Sequence, residues 1–173
     1  GQFVNSALSL SKDNSSAAII GGGDGGVARE CLSKGFDLID WYELDSEVVK
    51  VCQKHLPKIC GEVKANNNVK CYWGDAFESI KSVADSKYDK IFVDLNDDQY
   101  CIDLAAKNMK SLKRILKPEG VITAQVGCFT KKPKQVNGWL EVLSENFGNS
   151  NLNEVFIPSF DCRWNFASSI MNS

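Results

Sequence analysis

Several features that indicate particular kinds of chemistry are scarce or missing in this 173-residue sequence. It has one histidine, His55, and no cysteine pair with Cys-x-x-Cys spacing. These absences argue against a zinc site and a Cys–His nucleophile pair, so no metal is expected. The net charge is −2 and the basic residues are scattered, which gives no indication of a nucleic-acid surface. No apolar run is long enough to span a bilayer and no signal peptide opens the chain, so no membrane association is expected.

The cysteine count bears on the compartment. Seven cysteines are an odd number, and their spacing shows no disulfide framework. We therefore expect reduced thiols in a cytoplasmic protein. The length and the 43% hydrophobic content indicate one domain, residues 1–173, with a core of its own.

Apolar runs alternate with helix-like segments along the chain. Strands are predicted at residues 17–20, 38–42, 69–73, 88–93, 121–126, 152–157 and 164–170. Helices are predicted at residues 1–10, 27–33, from 45 or 46 to about 57, from 76 to about 83, 103–116 and 134–147, with a turn at 117–120. Alternating strands and helices give a parallel sheet, whereas the short loop before the last strand requires an antiparallel pair. The predicted fold class is α/β: a Rossmann-like, mostly parallel, seven-stranded sheet with a C-terminal antiparallel hairpin, as in S-adenosylmethionine-type transferases.

A glycine-rich stretch, residues 21–26, joins the first strand to the first helix of this sheet. It reads Gly-Gly-Gly-Asp-Gly-Gly and satisfies G-x-G-x-x-G with Gly21, Gly23 and Gly26. Glycine suits such a turn because the backbone needs positive φ and a close approach to a ligand. Asp24 sets the motif apart, since a carboxylate there would repel a phosphate. The pattern favours a ligand that is positively charged at this point.

Acids follow four successive predicted strands: Asp24, Glu43, Asp75 and Asp94. In parallel sheets, ligands bind at the carboxyl ends of the strands, so these side chains are expected to share one site. Glu43 lies 22 positions after Gly21, where an acid binds ribose hydroxyls, and Asp75 with Ala76 is placed to meet an adenine. Asp24 and Asp94 then face whatever lies beyond the ribose. A cationic sulfonium with an amine-bearing tail fits this charge pattern better than a diphosphate.

Several motifs together resemble the aminopropyltransferases, the spermidine and spermine synthases. They are the glycine hexad, Tyr42-Glu43-Leu44-Asp45, Gly74-Asp75-Ala76 and the Asp94…Asp97 pair, and the resemblance runs from about Gln2 to Ile170. Residues 58–63 (Lys-Ile-Cys-Gly-Glu-Val) and Pro158-Ser159-Phe160…Trp164…Phe166 look closer to animal spermine synthases than to spermidine synthases. The chain is thus similar to the catalytic domain of this family, without the family's N-terminal β-rich region.

The resemblance implies decarboxylated S-adenosylmethionine as donor and a polyamine (putrescine or spermidine) as acceptor. It is also compatible with a homodimer. Asp94 matches the general base, Asp97 the acid that holds the acceptor amine, and Gln2 a glutamine that touches the donor ribose. A carboxylate at Asp24 would attract the propylamine of the donor and repel the carboxylate of S-adenosylmethionine itself.

The sequence departs from the family pattern on the acceptor side. No proline follows Asp97, and Phe160 lacks the hydroxyl of the tyrosine that it matches. Cys162 stands where spermine synthases carry a glutamate, and Asp161, one residue earlier, is the candidate replacement for acceptor binding. Two alternatives therefore stay open: a homologue with altered or lost chemistry that binds a nucleoside or a partner, and a methyltransferase, which Asp24 disfavours.

Overall fold

The computed structural model describes residues 1–22, 24–43, 50–51, 54–55, 63, 65–96, 98–158 and 162–172. The helix predicted from 45 or 46 to 57 falls almost entirely outside the described residues. The strands are β1 Ser16–Gly21, β2 Leu38–Glu43, β3 Val69–Trp73, β4 Tyr88–Asp94, β5 Leu116–Cys128, β6 Asn151–Ile157 and β7 Cys162–Ile170. The helices are α1 Gln2–Leu8, α2 Gly26–Ser33, α3 Ala76–Ser79 with a 3-10 turn at Ile80–Ser82, α4 Gln99–Lys107, α5 Met109–Ile115 and α6 Pro133–Phe147.

The seven strands form one sheet in the order β3-β2-β1-β4-β5-β7-β6. The strands β3, β2, β1, β4 and β5 are parallel to one another, whereas β7 is antiparallel to both β5 and β6. The predicted fold class, including the C-terminal antiparallel hairpin, is confirmed. Chain order reverses between β1 and β4, and this topological switch point is where open α/β sheets bind ligands.

The core lies on both faces of the sheet because the central strands are buried on both sides. Every residue of β1 is buried: Ala18 and Ile20 pack in one cluster, and Ala17 and Ile19 pack in another. The first cluster lies under α3 to α6, and the second lies under α1 and α2. No helix among the described residues is long and apolar enough to cross a bilayer.

The helix predicted at residues 103–116 is in fact two helices, α4 and α5. Helix α4 begins four residues earlier because the Asp98 carboxylate accepts the Cys101 N–H at 2.9 Å and caps it. Asn108 separates the two helices, and its side-chain amide donates to the Leu104 carbonyl at 2.8 Å. The helical spacing of buried side chains continues across the break, so the sequence pattern looks like that of one helix.

The turn predicted at residues 117–120 lies inside the long strand β5. The backbone of this segment forms hydrogen bonds with Met171, the residue that follows β7. The Glu119 N–H donates to the Met171 carbonyl at 3.0 Å, and the Met171 N–H donates to the Gly120 carbonyl at 2.8 Å. Glu119 adopts φ 66°, so the chain turns locally while pairing continues. The predicted turn is therefore present as an irregularity within β5, and only its placement before the strand is wrong.

A disulfide joins Cys128, the last residue of β5, to Cys162, the first residue of β7. The Cα atoms are 6.3 Å apart and the two residues are 34 positions apart in sequence. The prediction of reduced thiols throughout is wrong for this pair, because antiparallel pairing of β5 with β7 brings together cysteines that no local spacing connects. Cys31 lies buried in α2 and is not part of this disulfide.

Three lysines lie near the amino ends of the parallel strands β4 and β5, at the edge of the sheet opposite the predicted site. Lys87 pairs with the buried Asp40 at 3.0 Å, and Lys117 pairs with Asp89 at 3.2 Å. The ammonium group of Lys90 donates to the Asp13 carbonyl at 2.6 Å. Two of the three lysines at this edge are therefore paired with acids.

Candidate functional site

The carboxyl ends of β1 and β4 lie side by side, with Gly21 as the register partner of Asp94. The Gly22 N–H donates to the Asp94 carbonyl at 3.1 Å. Gly21 has φ 88°, and a Cβ there would overlap the same carbonyl oxygen. Glycine at position 21 is thus required for the close approach of the two strand ends.

The glycine turn continues into helix α2. Gly25 adopts the left-handed conformation, with φ 77°, as the residue before the helix. The Asp24 carboxylate accepts the Gly26 N–H at 2.9 Å, and the residue is exposed where it lines a cavity. Asp24 is therefore held beside the N-terminus of α2, where a negative charge is stabilised.

The first of two neighbouring cavities, here named the Glu43 cavity, has a volume of about 140 Å³. It is lined by Ile20, Gly21, Glu43, Asp75, Ala76, Phe77, Leu95, Tyr100 and Leu104. Glu43 is buried at the end of β2, and one oxygen of the Asp75 carboxylate caps α3 by accepting the Phe77 N–H at 2.9 Å. Two acids among apolar walls suit a flat, polar-edged group such as a nucleoside.

The second cavity, here named the Asp24 cavity, has a volume of about 390 Å³. It is lined by Gln2, Phe3, Asp24, Gly26, Val27, Glu30, Asp94, Gln125, Val155, Trp164 and Phe166. The carboxylates of Asp24, Glu30 and Asp94 belong to this cavity, together with aromatic side chains from β7 and α1. Such a lining suits a cationic molecule with an apolar stem.

Asp94 is the most perturbed acid of the site. Burial, the largest cause, raises its pKa from the ordinary 3.8 to about 7, because a charged carboxylate loses hydration there. Repulsion by three nearby carboxylates adds to the effect, in the order Asp24, Glu43 and Glu30. A carboxyl group with this pKa exchanges protons near neutral pH, as a general base requires.

Most of the predicted site residues are brought together at the carboxyl edge. Gly21, Glu43, Asp75 and Ala76 line the Glu43 cavity, and Gln2, Asp24, Gly26 and Asp94 line the Asp24 cavity. Gly23, Asp97 and Asp161 lie outside the described residues. Among the described residues, no group of three His, Cys, Asp or Glu side chains could hold a metal ion.

Sequence reasoning missed several lining residues. Tyr100 lies before the predicted helix start at residue 103, and Leu104 lies inside the predicted helix but was assigned to the core and not to the site. Gln125 lies near the end of β5, and its importance depends on a contact with Trp164 that no local pattern reveals. Glu30 sits one helical turn beyond Gly26, on the side of α2 that faces the cavity and α1, and this spacing was the available signal.

Comparison with known proteins identifies the family of this chain. The sequence profile of the spermine/spermidine synthase domain matches residues 2–172. The chain belongs to the spermine/spermidine synthase family. A polyamine aminopropyltransferase of Prochlorococcus marinus strain MIT 9215 is 33% identical over 177 residues, covering 96% of this chain and 61% of the relative. One from strain NATL1A is 36% identical over 126 residues, covering 71% of this chain and 44% of the relative. The predicted family is confirmed, whereas the likeness to animal spermine synthases stays a prediction.

Solved structures of the family share the fold. Spermidine synthase from Thermotoga maritima superposes with a TM-score of 0.82 at 20% identity, covering 95% of this chain and 56% of that one. A spermidine synthase in complex with the transition-state analogue AdoDATO gives a TM-score of 0.80 at 20% identity, covering 90% and 54%. The chain thus spans little more than half the length of these proteins and 61% of the first relative above.

Proposed function

We propose that this chain is the catalytic domain of a polyamine aminopropyltransferase. It would move an aminopropyl group from decarboxylated S-adenosylmethionine to an amine of a polyamine, either putrescine or spermidine. The observation that carries the proposal is the position of Asp94, a carboxyl group with a pKa of about 7 that lines the acidic Asp24 cavity, while the next residue, Leu95, lines the Glu43 cavity.

The donor would occupy both cavities. Its ribose would lie against Glu43 and Gln2, and its adenine against Asp75 and the backbone of Ala76, with Gly21, Gly23 and Gly26 allowing the close approach. The propylamine would then point toward Asp24. S-adenosylmethionine carries a carboxylate at this end of the molecule, so repulsion by Asp24 would select the decarboxylated donor.

The transfer is a displacement at the methylene carbon next to the sulfonium. A protonated amine of the acceptor gives its proton to the Asp94 carboxylate, and the freed nitrogen pair then forms the new C–N bond. The C–S bond breaks, its electron pair stays on sulfur, and neutral methylthioadenosine leaves. Positioning of the two substrates and removal of the proton would supply most of the rate.

The acceptor would extend from Asp94 into the Asp24 cavity. Asp97 and Asp161, by resemblance, would hold its amines. The apolar lining from Phe3, Trp164 and Phe166 suits the methylene stem between the charged nitrogens.

The test combines turnover with binding. The 173-residue chain is incubated with decarboxylated S-adenosylmethionine and putrescine or spermidine, and methylthioadenosine is measured. Asp94→Asn should lower turnover by about 10² to 10⁴ while the affinity for methylthioadenosine, measured by calorimetry, stays within about threefold. Asp103→Asn, an exposed carboxylate on α4, is the matched control and should turn over normally. Transfer of a methyl group from S-adenosylmethionine would overturn the proposal in favour of a methyltransferase, and absence of any transfer would favour a homologue without this chemistry.

A further inference from the structure

Two successive carbonyl groups at the end of β4 are held from opposite sides. The Asp94 carbonyl accepts the Gly22 N–H at 3.1 Å, and the Leu95 carbonyl accepts the side-chain amide of Gln125 at 3.0 Å. The peptide that follows Asp94 is thus fixed between the glycine turn on one side and β5 on the other. The first bond belongs to the donor side of the site, and the second has no part in the mechanism described above.

The orientation of the Gln125 amide is set by Trp164. The indole N–H of Trp164 donates to Gln125 Oε1 at 2.6 Å, which leaves Nε2 toward the Leu95 carbonyl. A flipped amide would place N–H groups against the indole N–H and an oxygen against the Leu95 carbonyl oxygen. Both contacts would be repulsive, so one indole donor determines which end of the amide holds Leu95.

The pairing of β5 with β7 brings the two side chains together. The register partners are Gln125 with Phe166 and Cys128 with Trp164, and the register shifts between Gln125 and Gly127. Trp164 and Gln125 are 39 positions apart in sequence, yet both line the Asp24 cavity beside Asp94. The chain of bonds from Trp164 through Gln125 to Leu95 therefore ends one residue from the proposed base.

We propose that Trp164 is a positioning residue that acts through Gln125 to hold the Asp94–Leu95 peptide, and so the Asp94 carboxylate, in line with the acceptor amine. This inference rests on the proposed aminopropyl transfer. A carboxylate displaced by about 1 Å from its productive position can cost about 10²-fold in rate. The adenine of the donor would lie against Asp75 and Ala76 in the Glu43 cavity, which neither Trp164 nor Gln125 lines, and its propylamine would point to Asp24, so the donor KM should change little on their loss.

Three single variants test the chain of bonds. Trp164→Phe keeps an aromatic ring and removes the N–H donor, and Gln125→Leu removes both bonds of the amide. Trp139→Phe is the matched control, because Trp139 on α6 is buried and its N–H finds no acceptor among the described residues. With both substrates saturating, Trp164→Phe and Gln125→Leu should lower kcat by about 10- to 100-fold with the donor KM within about twofold, and Trp139→Phe should leave both unchanged.

The double variant Trp164→Phe, Gln125→Leu adds a second criterion. If the two residues act through one chain, the double variant should be little slower than Gln125→Leu alone. The inference would be overturned if the kcat losses of the two single variants multiply in the double variant, or if Trp139→Phe lowers kcat as much as Trp164→Phe does. Either result would mean that the variants act through a general loss of packing.

A measurement without turnover separates this inference from the proposed function. The Asp94 carboxyl is followed by ¹³C NMR titration in the wild type and in Trp164→Phe. A released carboxylate should move toward water and away from the acids that face it, Asp24, Glu43 and Glu30, so its pKa should fall. An identical titration in both proteins would refute the inference whether or not the wild type turns over, whereas a wild type without turnover would refute the proposed function alone.

Discussion

Replacing Asp94 with asparagine should make the folded chain more stable at neutral and alkaline pH while it lowers turnover. The folded protein raises the pKa of this carboxyl from 3.8 to about 7, so the folded state binds the proton more tightly than the unfolded chain does. Between pH 4 and 7 the unfolded chain is ionised at this position and the folded chain is protonated. Stability is therefore lost as pH rises through this range, and the full cost applies above pH 7.

The magnitude follows from the two pKa values. At 1.36 kcal/mol per pH unit, the difference between 3.8 and about 7 corresponds to about 4 kcal/mol. Asparagine has nearly the same shape and carries no charge, so the variant should avoid most of this cost. Urea unfolding at pH 4, 5, 6, 7 and 8 should show a gain for Asp94→Asn that is near zero at pH 4 and reaches at most about 4 kcal/mol at pH 8.

The control is Asp37→Asn, an exposed carboxylate on the loop before β2. It should change the free energy of unfolding by less than about 0.5 kcal/mol at each pH. Burial and neighbouring acids should make the charged Asp94 lower the free energy of unfolding. This expectation would be refuted if Asp94→Asn is no more stable than the wild type at pH 8, or if the gain in stability is the same at every pH.

The remaining predictions concern rate, selectivity and covalent structure. The kcat/KM for transfer should fall about tenfold between pH 8 and pH 6, because Asp94 must be deprotonated in the free protein, and a flat profile over this range would exclude it as the base. Asp24→Asn should narrow the preference for the decarboxylated donor over S-adenosylmethionine in calorimetric titrations, and an unchanged ratio would contradict selection by charge. Reduction of the Cys128–Cys162 disulfide, which spans 34 positions, should lower the free energy of unfolding by at most about 4 kcal/mol, and the double serine variant should no longer respond to reductant.

Local signals were sufficient to place the glycine turn, Glu43 and Asp94 at the candidate site. The glycine turn follows β1, and Glu43 and Asp94 end their strands, so sequence position alone placed them at one edge of a parallel sheet. Chain direction makes the carboxyl ends of parallel strands coincide, and this geometry needs no knowledge of side-chain packing.

Contacts between distant segments could not be read in the same way. The Trp164–Gln125 bond and the Cys128–Cys162 disulfide both depend on the register of β5 against β7, which a shift at 125–127 alters by one residue. The break at Asn108 was hidden because apolar spacing continues through it. Side-chain capping by Asp98 decided where α4 begins, and hydrophobic periodicity carries no information about such caps.

Two of the three lysines at the amino edge of the sheet are paired with acids, whereas the carboxylates of Asp24, Glu30 and Asp94 meet in one cavity at the carboxyl edge, so negative charge is concentrated there to a degree that the net charge of −2 conceals. A polycation that approaches in solution would be attracted toward this acid-lined edge. Encounter should then be faster than random collision and sensitive to ionic strength. Stopped-flow measurement with a polyamine at 50 mM and 500 mM salt should show a slower association rate at the higher salt and a nearly unchanged dissociation rate. Equal slowing of both rates would mean that long-range electrostatic attraction does not accelerate the encounter.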